Sequence, residues 1–214
     1  MKIILVLSQK GGSGKSTVAR NLAVLYSKEY KTALLDLDPQ GSTIKWGEQR
    51  NEDVKDNELL THFLNIEDVD TDFSQLEKNG YEYIVIDTPP VLADVHEFLL
   101  QKADYGVVPI QTTREDLETL ENTTTLIENA GIYYGVVINR ADMKTIMYKE
   151  GKNIVAEYGK ILGTIKETVQ MQYCSYDCLG INEVKIKNNP VVEHNQTEFV
   201  KIKKNIDRTL RKGL

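Results

Sequence analysis

The sequence lacks an excess of positive charge and lacks a long apolar segment. Its 214 residues carry a formal net charge of −6, so the whole molecule does not favour nucleic acid, and any such role requires a local basic patch. No apolar run approaches the roughly 20 residues of a membrane-spanning helix, and the start, MKIILVLSQKGG, contains no cleavage-type region. We therefore expect a cytoplasmic protein.

Cysteine is scarce, which limits the redox and metal chemistry that the chain can perform. Cys174 and Cys178 are its two cysteines. Their C-x-x-x-C spacing is neither a redox C-x-x-C motif nor half of a zinc site. We expect reduced, partly buried thiols. The alternative is an iron–sulfur cluster shared by two copies of the chain, which nothing else in the sequence supports.

Apolar blocks alternate with segments of helical periodicity. Short continuous runs rich in β-branched residues are typical of strands buried on both faces. Segment 16–30 and segment 117–130 have apolar residues at helical spacing, and acidic Glu115 and Asp116 suit the start of the second helix. The predicted strands are IILVLS (3–8), TALLDLD (32–38), YEYIVID (81–87), YGVVPIQ (105–111) and YYGVVIN (133–139).

This alternation predicts one α/β domain over residues 1–214, a mostly parallel twisted sheet with helices on both faces. A hydrophobic content of 41% is sufficient for a single core. A weaker strand at 161–165 is expected near the far edge of the sheet. The acidic stretches 48–58 and 67–77 indicate a solvated insert.

The segment SQKGGSGKST (8–17) has the features of a phosphate-binding loop, because it follows a strand and opens a helix. Its glycines let backbone N–H groups approach phosphate oxygens, Lys15 can reach the outer phosphates and Ser16 can bind Mg²⁺. The usual G-x-x-x-x-G-K-[ST] pattern requires glycine at position 9, where this sequence has Gln9. A second cation, Lys10, stands beside the loop.

Two further strand ends carry carboxylates. Asp87 closes the strand YEYIVID and is followed by Thr88 and two prolines, which suits a magnesium ligand at the edge of the sheet. Asp36 and Asp38 lie two residues apart, so both project to the same side of the strand. Either can orient the water that attacks the γ-phosphate, and spacing alone does not choose between them.

These three segments together carry a resemblance to a known family. KGGSGKST resembles the deviant Walker A motif of the ParA/MinD superfamily of ATPases, DLDPQGS resembles its Walker A′ motif and YEYIVIDTPP is similar to its Walker B motif. A chain that begins directly at the loop strand is most like the small plasmid-partition ParA proteins, the ParF-like group. The resemblance implies a P-loop NTPase fold, ATP and Mg²⁺ as cofactors, weak intrinsic hydrolysis and an ATP-dependent sandwich dimer.

The same resemblance assigns roles to individual residues. It implies that Lys10 reaches across the dimer to the partner's phosphates, that Asp38 positions the water, and that Asp87 holds Mg²⁺. A turn or a helix cap would explain the candidates for the base pocket equally well. The implied nucleotide-binding residues are Lys10, Gly11, Gly12, Ser13, Gly14, Lys15, Ser16 and Thr17, with Asn139, Arg140, Pro190 and Val191 near the adenine; the implied metal ligands are Ser16, Asp38 and Asp87.

The C-terminal segment is the local basic patch. Residues 197–214 carry six basic and two acidic side chains, and Phe199, Ile202, Ile206 and Leu210 recur at helical spacing. We expect an amphipathic helix at 197–212 that docks through its apolar stripe and presents its basic positions to solvent. Such a surface binds phosphate backbones without reading sequence. The candidate DNA contacts are Lys201, Lys203, Lys204, Arg208, Arg211 and Lys212.

The resemblance then implies a function. Partition ParA relatives hold nonspecific DNA when ATP is bound, which places them on the nucleoid, and a ParB-type centromere-binding partner releases them by stimulating hydrolysis. A solvated helix face is the plain alternative for the basic segment. Two further alternatives are a MinD-like or cargo-positioning ATPase acting on a membrane or a protein assembly, and a metal-cluster carrier. The thinly apolar end RTLRKGL does not favour a membrane-surface helix.

Overall fold

A seven-stranded sheet, parallel throughout the described residues, forms the centre of the molecule. The computed structural model describes residues 1–54, 59–90 and 93–212, without the side chains of 93–96. The strand order is β3-β2-β4-β1-β5-β6-β7. The strands are β1 Lys2–Val6, β2 Thr32–Asp36, β3 Leu60–Phe63, β4 Tyr83–Asp87, β5 Tyr105–Ile110, β6 Tyr133–Ala141 and β7 Ile161–Lys166.

Helices cover both faces of this sheet, as parallel strands require. Short 3₁₀ helices at Ile66–Asp68 and Ile181–Glu183 complete the regular structure of the described residues. The α-helices are α1 Lys15–Ser27, α2 Ser42–Asp53, α3 Val69–Lys78, α4 Ala93–Leu100, α5 Arg114–Asn129, α6 Ile146–Tyr158, α7 Val169–Tyr176 and α8 Pro190–Lys212.

Two apolar layers hold the helices to the sheet. Because successive side chains of a strand point to opposite faces, Ile4 and Val6 of β1 join the layer under α1, α7 and α8, whereas Ile3 and Leu5 join the layer under α3, α5 and α6. Nearly all of β1 is fully buried. This burial on both faces is the reason why the strands read as continuous apolar runs.

The six predicted strands are present, and the weak one, β7, lies at the sheet edge as expected. The expectation of a solvated insert was wrong for the part that the structure describes. Arg50 of α2 is buried, and Val69, Phe73 and Leu76 of α3 pack on the sheet. The apolar residues at wide helical spacing were masked by the many charges between them. Residues 55–58 of the first stretch lie outside the described residues.

Helix α8 closes the open edge of the sheet, and it begins seven residues before the predicted start at 197. Its apolar face packs through Phe199, Ile202 and Ile206 into the core. An edge strand leaves backbone groups without a partner. Polar side chains of α8 form hydrogen bonds of 2.7 to 3.1 Å with the backbone groups of β7. Asn205 binds Leu162, Glu198 and His194 bind Thr164, and Asn195 binds Lys166. Helix α8 is therefore attached by both apolar and polar contacts.

Within the residues that the structure describes, none of the helices is long and apolar enough to cross a membrane.

Candidate nucleotide-binding site

The loop between β1 and α1 has a backbone that requires glycine. Gly12 and Gly14 have positive φ angles of 78° and 99°, which residues other than glycine rarely adopt. A Cβ on Gly14 would also lie 1.9 Å from Nδ2 of Asn139. That amide donates a hydrogen bond to the carbonyl oxygen of Ser13 at 3.0 Å. Asn139, at the end of β6, therefore supports the loop directly.

Lys15, the first residue of α1, is buried, and no carboxylate of the described residues forms a hydrogen bond or ion pair with it. Its Nζ donates to the backbone carbonyl oxygen of Lys10 at 2.9 Å. Burial lowers its pKa, and the charges of Asp87 and Asp38 partly offset that effect. Backbone N–H groups at the start of a helix and a buried ammonium group together favour an anion. A phosphate group would supply a negatively charged partner for the Lys15 ammonium group.

Lys10 is held by its own chain, at the start of α5. Its Nζ lies 2.8 Å from Oδ2 of Asp116 and 3.4 Å from Oγ1 of Thr113. The Asp116 side chain is only 2% exposed, whereas that of Lys10 is 31% exposed. Thr113 caps α5 by accepting a hydrogen bond from the backbone N–H of Asp116. Lys10 thus neutralises a buried carboxylate while its own ammonium group stays accessible.

The strand ends bring two aspartates side by side. Asp36 of β2 and Asp87 of β4 are partners in the register of the sheet. Asp36 is fully buried and accepts hydrogen bonds from the backbone N–H groups of Asp38, Thr43 and Ile44. Burial raises the pKa of Asp36, and these hydrogen bonds offset only part of the rise. Its carboxylate therefore organises the turn from β2 into α2.

Asp38 has a different environment from Asp36, although the two are close in sequence. Its side chain is half-buried, and Oδ1 accepts a hydrogen bond from the backbone N–H of Gln40 at 2.9 Å. The turn leaves it beside the phosphate loop, where its charge acts on Lys15. The tertiary structure thus gives Asp36 and Asp38 different environments, which their spacing in the sequence could not predict.

Asp87 has one buried carboxylate oxygen for which no described residue supplies a hydrogen bond within normal distance. Its side chain is fully buried, Oδ2 accepts a hydrogen bond from the Thr43 hydroxyl at 2.7 Å, and Oδ1 has no partner among the described residues. Burial raises the pKa of Asp87 to about 6, and the hydroxyl groups of Thr43 and Ser16 partly offset the rise. An unpaired buried oxygen is costly. A carboxylate oxygen with a serine hydroxyl nearby fits the hard oxygen ligands of Mg²⁺.

Several residues of this site were missed by sequence reasoning. Thr43 joins both aspartates, because its N–H binds Asp36 and its hydroxyl binds Asp87. Arg20 of α1 donates to the same hydroxyl at 3.0 Å. Gln111, after β5, donates to the carbonyl oxygen of Gly12 at 3.0 Å. Asp116 was noticed only as a helix-start residue. Thr43, Gln111 and Asp116 lie within seven residues after a strand, which was the available signal, whereas Arg20 lies on α1 and faces Thr43 and Ser175.

A cleft of about 480 Å³ extends from the phosphate loop toward α7. Thr17, Asn139 and Arg140 line it, as the base-pocket prediction requires. Helix α7, which the sequence did not single out, supplies the opposite wall. Pro190 does not line this cleft; it is the first residue of α8, whose N–H groups at Val191 and Val192 are capped by Asn189. The remaining lining residues are Lys166, Glu167, Thr168, Met171, Gln172, Ser175 and Tyr176.

The basic face of α8 is smaller than expected. Lys203 departs from the expectation of an outward position, since it is 6% exposed and its Nζ pairs with Glu29 and Asp207 at 3.1 and 3.2 Å. It lies over the rings of Tyr26 and Tyr30. Lys203 lies next to the apolar face of α8 and is buried with it against the domain. The exposed basic residues are Lys201, which pairs with Glu198, and Lys204, Arg208, Arg211 and Lys212.

The two cysteines are free and buried in the layer beneath α1 and α7. Burial raises the pKa of Cys174 to about 11, and metals bind the thiolate form. Within the described part of the chain there is no group of three or more metal-ligating side chains. A cluster shared by two copies would need both thiols at the surface, and neither is exposed in this chain.

Comparisons with known proteins agree with this geometry. A family model described as the CobQ/CobB/MinD/ParA nucleotide binding domain matches residues 4–175. The chain is 31% identical over 153 residues to the maintenance of carboxysome distribution protein A of Gloeobacter kilaueensis, covering 68% of this chain and 66% of that relative. It is also 31% identical over 164 residues to the chromosome partitioning protein ParA of Myxococcus xanthus, covering 59% and 58%.

A solved structure shares the fold over its whole length. A plasmid partition protein of Borrelia burgdorferi B31 bound to AMPPNP is 25% identical, with a TM-score of 0.72 over 97% of this chain and 98% of that one. By contrast, the match spans 66% of the length of the first curated relative and 58% of the second.

Proposed function

The chain belongs to the CobQ/CobB/MinD/ParA family of nucleotide-binding domains, and from this membership we propose that it is a ParA-type ATPase for plasmid or chromosome partition. One observation carries the proposal. At one sheet edge lie a glycine-dependent loop, the buried ammonium group of Lys15 and an oxygen of Asp87 that has no hydrogen-bond partner among the described residues. These are the parts that binding and hydrolysis of a nucleoside triphosphate require.

ATP binding follows from the loop and the cleft. Backbone N–H groups at the start of α1 and the ammonium group of Lys15 hold the phosphates. The cleft between Arg140 and α7 is the proposed pocket for the base. The neighbour from Borrelia burgdorferi was solved with AMPPNP, which supports a triphosphate at this position.

Ser16 and Asp87 are the residues that would hold Mg²⁺, and Asp38 is close enough in the fold to act on its hydration shell. When bound, the ion neutralises charge that develops on the phosphates. Asp87 must be ionised to serve as a ligand. With its pKa raised to about 6, it is ionised at neutral pH and becomes protonated in mild acid.

Asp38 is the residue that orients the attacking water. Three backbone N–H groups already occupy the Asp36 carboxylate, which makes Asp36 a structural acceptor. Asp38 accepts one such bond and keeps capacity for a water molecule. Hydrolysis of this kind depends chiefly on positioning and charge stabilisation.

Lys10 supplies the second cation, in an ATP-dependent dimer. In the single chain its ammonium group contacts Asp116, and it is accessible from solvent. The triphosphate of a second copy is a more highly charged partner than one carboxylate. Lys10 therefore exchanges Asp116 for phosphate oxygens when two copies enclose their nucleotides, and ATP favours the dimer by adding that contact.

Nonspecific DNA is the surface on which the ATP switch acts. The exposed cations of α8 form a basic face on a chain with a net charge of −6, and two copies would present it twice. A ParB-type centromere-binding protein is the proposed partner that stimulates hydrolysis and releases the dimer. The similarity to a chromosome partitioning ParA supports this assignment.

Positioning of a protein cargo is the second candidate, because one relative is a carboxysome distribution protein. The same DNA-bound switch would serve either task, with a different partner. Action on a membrane through α8 is less well supported. Phe199, Ile202 and Ile206, the apolar face that would enter a lipid surface, are already buried in the core.

The deciding experiment is a titration of a fluorescent random-sequence DNA duplex with the protein, followed by anisotropy, with ATP and Mg²⁺, with ADP, and at increasing salt. Salt-sensitive binding with ATP that disappears with ADP supports the partition switch. Binding that is equal with both nucleotides contradicts it. Liposome sedimentation with ATP tests the membrane alternative in parallel.

A pair of variants locates the DNA contact. Lys204→Ala with Arg208→Ala removes two exposed cations of α8, and we expect the salt slope of binding to fall by about one for each lost phosphate contact. Lys149→Ala with Lys152→Ala is the matched control on α6, in the opposite helical layer. Equal weakening by both pairs would show that α8 is not the binding face.

A further inference from the structure

Arg20 occupies a position on α1 that faces the candidate metal site. It follows Ser16 by one helical turn, so the two side chains project from the same face of α1. Side chains of a helix lean toward its N-terminus, which here means toward the phosphate loop. The Ser16 hydroxyl acts on the carboxylate of Asp87. Arg20 therefore lies directly behind the residues that are proposed to hold Mg²⁺.

The guanidinium group of Arg20 binds hydroxyl groups on two other helices. Its Nε donates to Oγ1 of Thr43 at 3.0 Å, and its terminal nitrogens donate to Ser175 of α7 at 3.1 Å and to Ser42 of α2 at 3.2 Å. Ser42 and Ser175 are exposed, whereas Thr43 is fully buried. Solvent can replace the two exposed partners, so the hydrogen bond to Thr43 is the one that requires Arg20.

Arg20 does not bind the carboxylates that lie near it. Burial lowers its pKa, and the charges of Asp87 and Asp36 oppose that effect. An arginine so close to buried carboxylates ordinarily pairs with one of them. Within the described part of the chain, however, the hydrogen bonds of Arg20 reach hydroxyl groups and no carboxylate. The contact between Arg20 and Asp87 therefore runs through the Thr43 hydroxyl.

The Thr43 hydroxyl has one possible orientation in this arrangement. A hydroxyl group has a single proton, and a guanidinium group can only donate hydrogen bonds. The Thr43 proton must therefore point to Oδ2 of Asp87, which lies 2.7 Å away. The hydrogen bonds run in one direction, from Arg20 through Thr43 to Asp87, and such a series strengthens each of its members.

This series of hydrogen bonds decides which oxygen of Asp87 is available to a ligand. Thr43 occupies Oδ2, while Oδ1 is buried without a hydrogen-bond partner among the described residues. Because both oxygens belong to one planar carboxylate, the bond that holds Oδ2 also fixes the direction of Oδ1. A metal ligand that is oriented in advance by its neighbours binds the ion more tightly.

Arg20 is itself held in place by packing against Trp46. Its guanidinium carbon lies 5.6 Å from the centre of the Trp46 ring, and that of Arg50 lies 5.4 Å from the same centre. Arg50 is anchored by hydrogen bonds of 2.7 and 2.8 Å to Glu183 and of 2.8 Å to the carbonyl oxygen of Cys178. Trp46 is the one tryptophan of the sequence, so its fluorescence reports on the folding of this region without a label.

We propose that Arg20 is a positioning residue of the metal site, which acts through the Thr43 hydroxyl to keep one oxygen of Asp87 free and in a fixed direction for Mg²⁺. The proposal rests on the proposed function, because it concerns the metal of the same ATPase. Charge alone predicts the opposite effect, since removal of a nearby cation strengthens the binding of a divalent cation. The sign of the change in metal affinity therefore distinguishes positioning from a simple effect of charge.

The test measures metal affinity on the intact chain. The protein is saturated with ADP and titrated with Mn²⁺, which prefers the same oxygen ligands as Mg²⁺, and free Mn²⁺ is measured by electron paramagnetic resonance against a titration of ADP alone. Arg20→Met keeps a long side chain beside Trp46 but removes every donor, and Arg20→Ala removes the side chain. Thr43→Val removes the hydroxyl and keeps the backbone N–H that binds Asp36.

Three further variants serve as controls. Thr43→Ser retains a hydroxyl at the same position. Ser175→Ala removes an exposed partner of Arg20, and Lys28→Ala removes an exposed cation at the end of α1. Urea unfolding followed by Trp46 fluorescence shows that each variant is folded before its metal affinity is compared.

We expect the Arg20 variants and Thr43→Val each to bind Mn²⁺ about 10-fold or more weakly, the range for loss of a group that orients a metal ligand. The three controls should change this affinity by less than about threefold, and so should the binding of a fluorescent ATP analogue in EDTA by the Arg20 variants. Because Arg20 acts through Thr43, the double variant Arg20→Met/Thr43→Val should bind Mn²⁺ about as weakly as either single variant.

Two results would overturn the proposal. One is Mn²⁺ binding that is unchanged or stronger in the Arg20 variants, and the other is a loss in the double variant that equals the product of the single losses. If the unaltered chain binds ATP and Mn²⁺, either result removes only the role of Arg20. Absence of Mn²⁺-dependent nucleotide binding by the unaltered chain would contradict the proposed function, and this proposal with it.

Discussion

Two edges of the same sheet differ in whether their polar groups have hydrogen-bond partners. At the outer edge, α8 supplies side chains that bind the free backbone groups of β7 at Leu162, Thr164 and Lys166. At the phosphate-loop edge, an oxygen of Asp87 and the hydroxyl of Ser13 are buried without a partner among the described residues. Among the described residues, the Lys15 ammonium group donates its hydrogen bond to a backbone carbonyl oxygen and not to a carboxylate.

The difference separates structure from function. Satisfied polar groups stabilise the fold, because each buried group that loses its partner costs about 1–3 kcal/mol. Unsatisfied groups reduce stability until a ligand supplies the missing partner, so they mark where the ligand binds. Substitutions at the first edge should lower stability and leave hydrolysis intact. At the second edge they should do the reverse.

The largest effect is expected for Lys15→Ala. Removal of the buried cation should lower kcat/KM for ATP by about 10²–10³-fold, the range for loss of one charge-stabilising group. Stability without nucleotide should be unchanged or higher, because burial disfavours the charged form of Lys15. Phosphate release and urea denaturation provide the two readouts. Unaltered hydrolysis would contradict the placement of the phosphates.

Asp38→Ala should slow hydrolysis about 100-fold, as expected for a lost proton-positioning group, while a fluorescent ATP analogue still binds. Asp36→Asn is the matched comparison. It keeps one acceptor oxygen for the N–H groups of Thr43 and Ile44, so hydrolysis should persist. The reverse result would transfer the water-positioning role to Asp36.

Lys10→Ala should abolish ATP-dependent dimerisation and stimulated hydrolysis, measured by sedimentation and phosphate release, because the lysine is proposed to act across the dimer. It also leaves the buried carboxylate of Asp116 without its cation. The double variant Lys10→Ala/Asp116→Asn removes that unpaired charge and should restore stability but not dimerisation. A dimer formed normally by either variant would show that Lys10 serves only its own chain.

Asp87→Asn should stabilise the nucleotide-free protein at neutral pH by about 2–3 kcal/mol, the equivalent of a pKa raised from about 3.9 unfolded to about 6 folded. When the pKa of a carboxyl group is higher in the folded than in the unfolded protein, the free energy of unfolding decreases as the pH increases from 4 to 6. The stability difference between the variant and the unaltered protein should therefore grow over that range and level off above it.

The same substitution tests the metal site. Mg²⁺-dependent ATP binding by the unaltered protein should weaken as the pH falls through about 6, because the ligand oxygen becomes protonated. Asp87→Asn should bind ATP with little dependence on Mg²⁺ at any pH. A flat pH profile for the unaltered protein would exclude Asp87 as the group that titrates.

The smallest effect in this series is expected at the outer edge. Asn195→Ala removes two hydrogen bonds to Lys166 and should lower the free energy of unfolding by about 2 kcal/mol. Because this contact is structural, kcat for hydrolysis should change by less than about twofold. A large loss of hydrolysis in folded protein would remove the distinction between the two edges.

Much of the fold could be predicted because it depends on local patterns. Apolar runs identified six of the seven strands, and glycine spacing located the phosphate loop. Strand β3 and helix α3 were missed, because their apolar residues are few and lie among acidic ones. Phe73 and Leu76 can be identified as core residues only when the sheet against which they pack is known.

The candidate site could be predicted only in part. Lys15, Ser16 and Asp87 follow from motifs, but Thr43, Arg20 and Asp116 reach the site from separate segments through tertiary contacts. Pro190 was selected from a sequence likeness and lies at a helix start. Lys203 resembled the other cations of the basic segment, yet the packing of α8 on α1 places its ammonium group over the rings of Tyr26 and Tyr30.

The sequence alone determined the family, the parallel α/β fold and the location of the phosphate loop, because glycine, lysine and strand-end aspartates act through local backbone geometry. Tertiary structure decided which aspartate is free, where Lys10 rests, and which cations of α8 face solvent. Those outcomes depend on burial and on partners that are distant in sequence, and no local pattern encodes them.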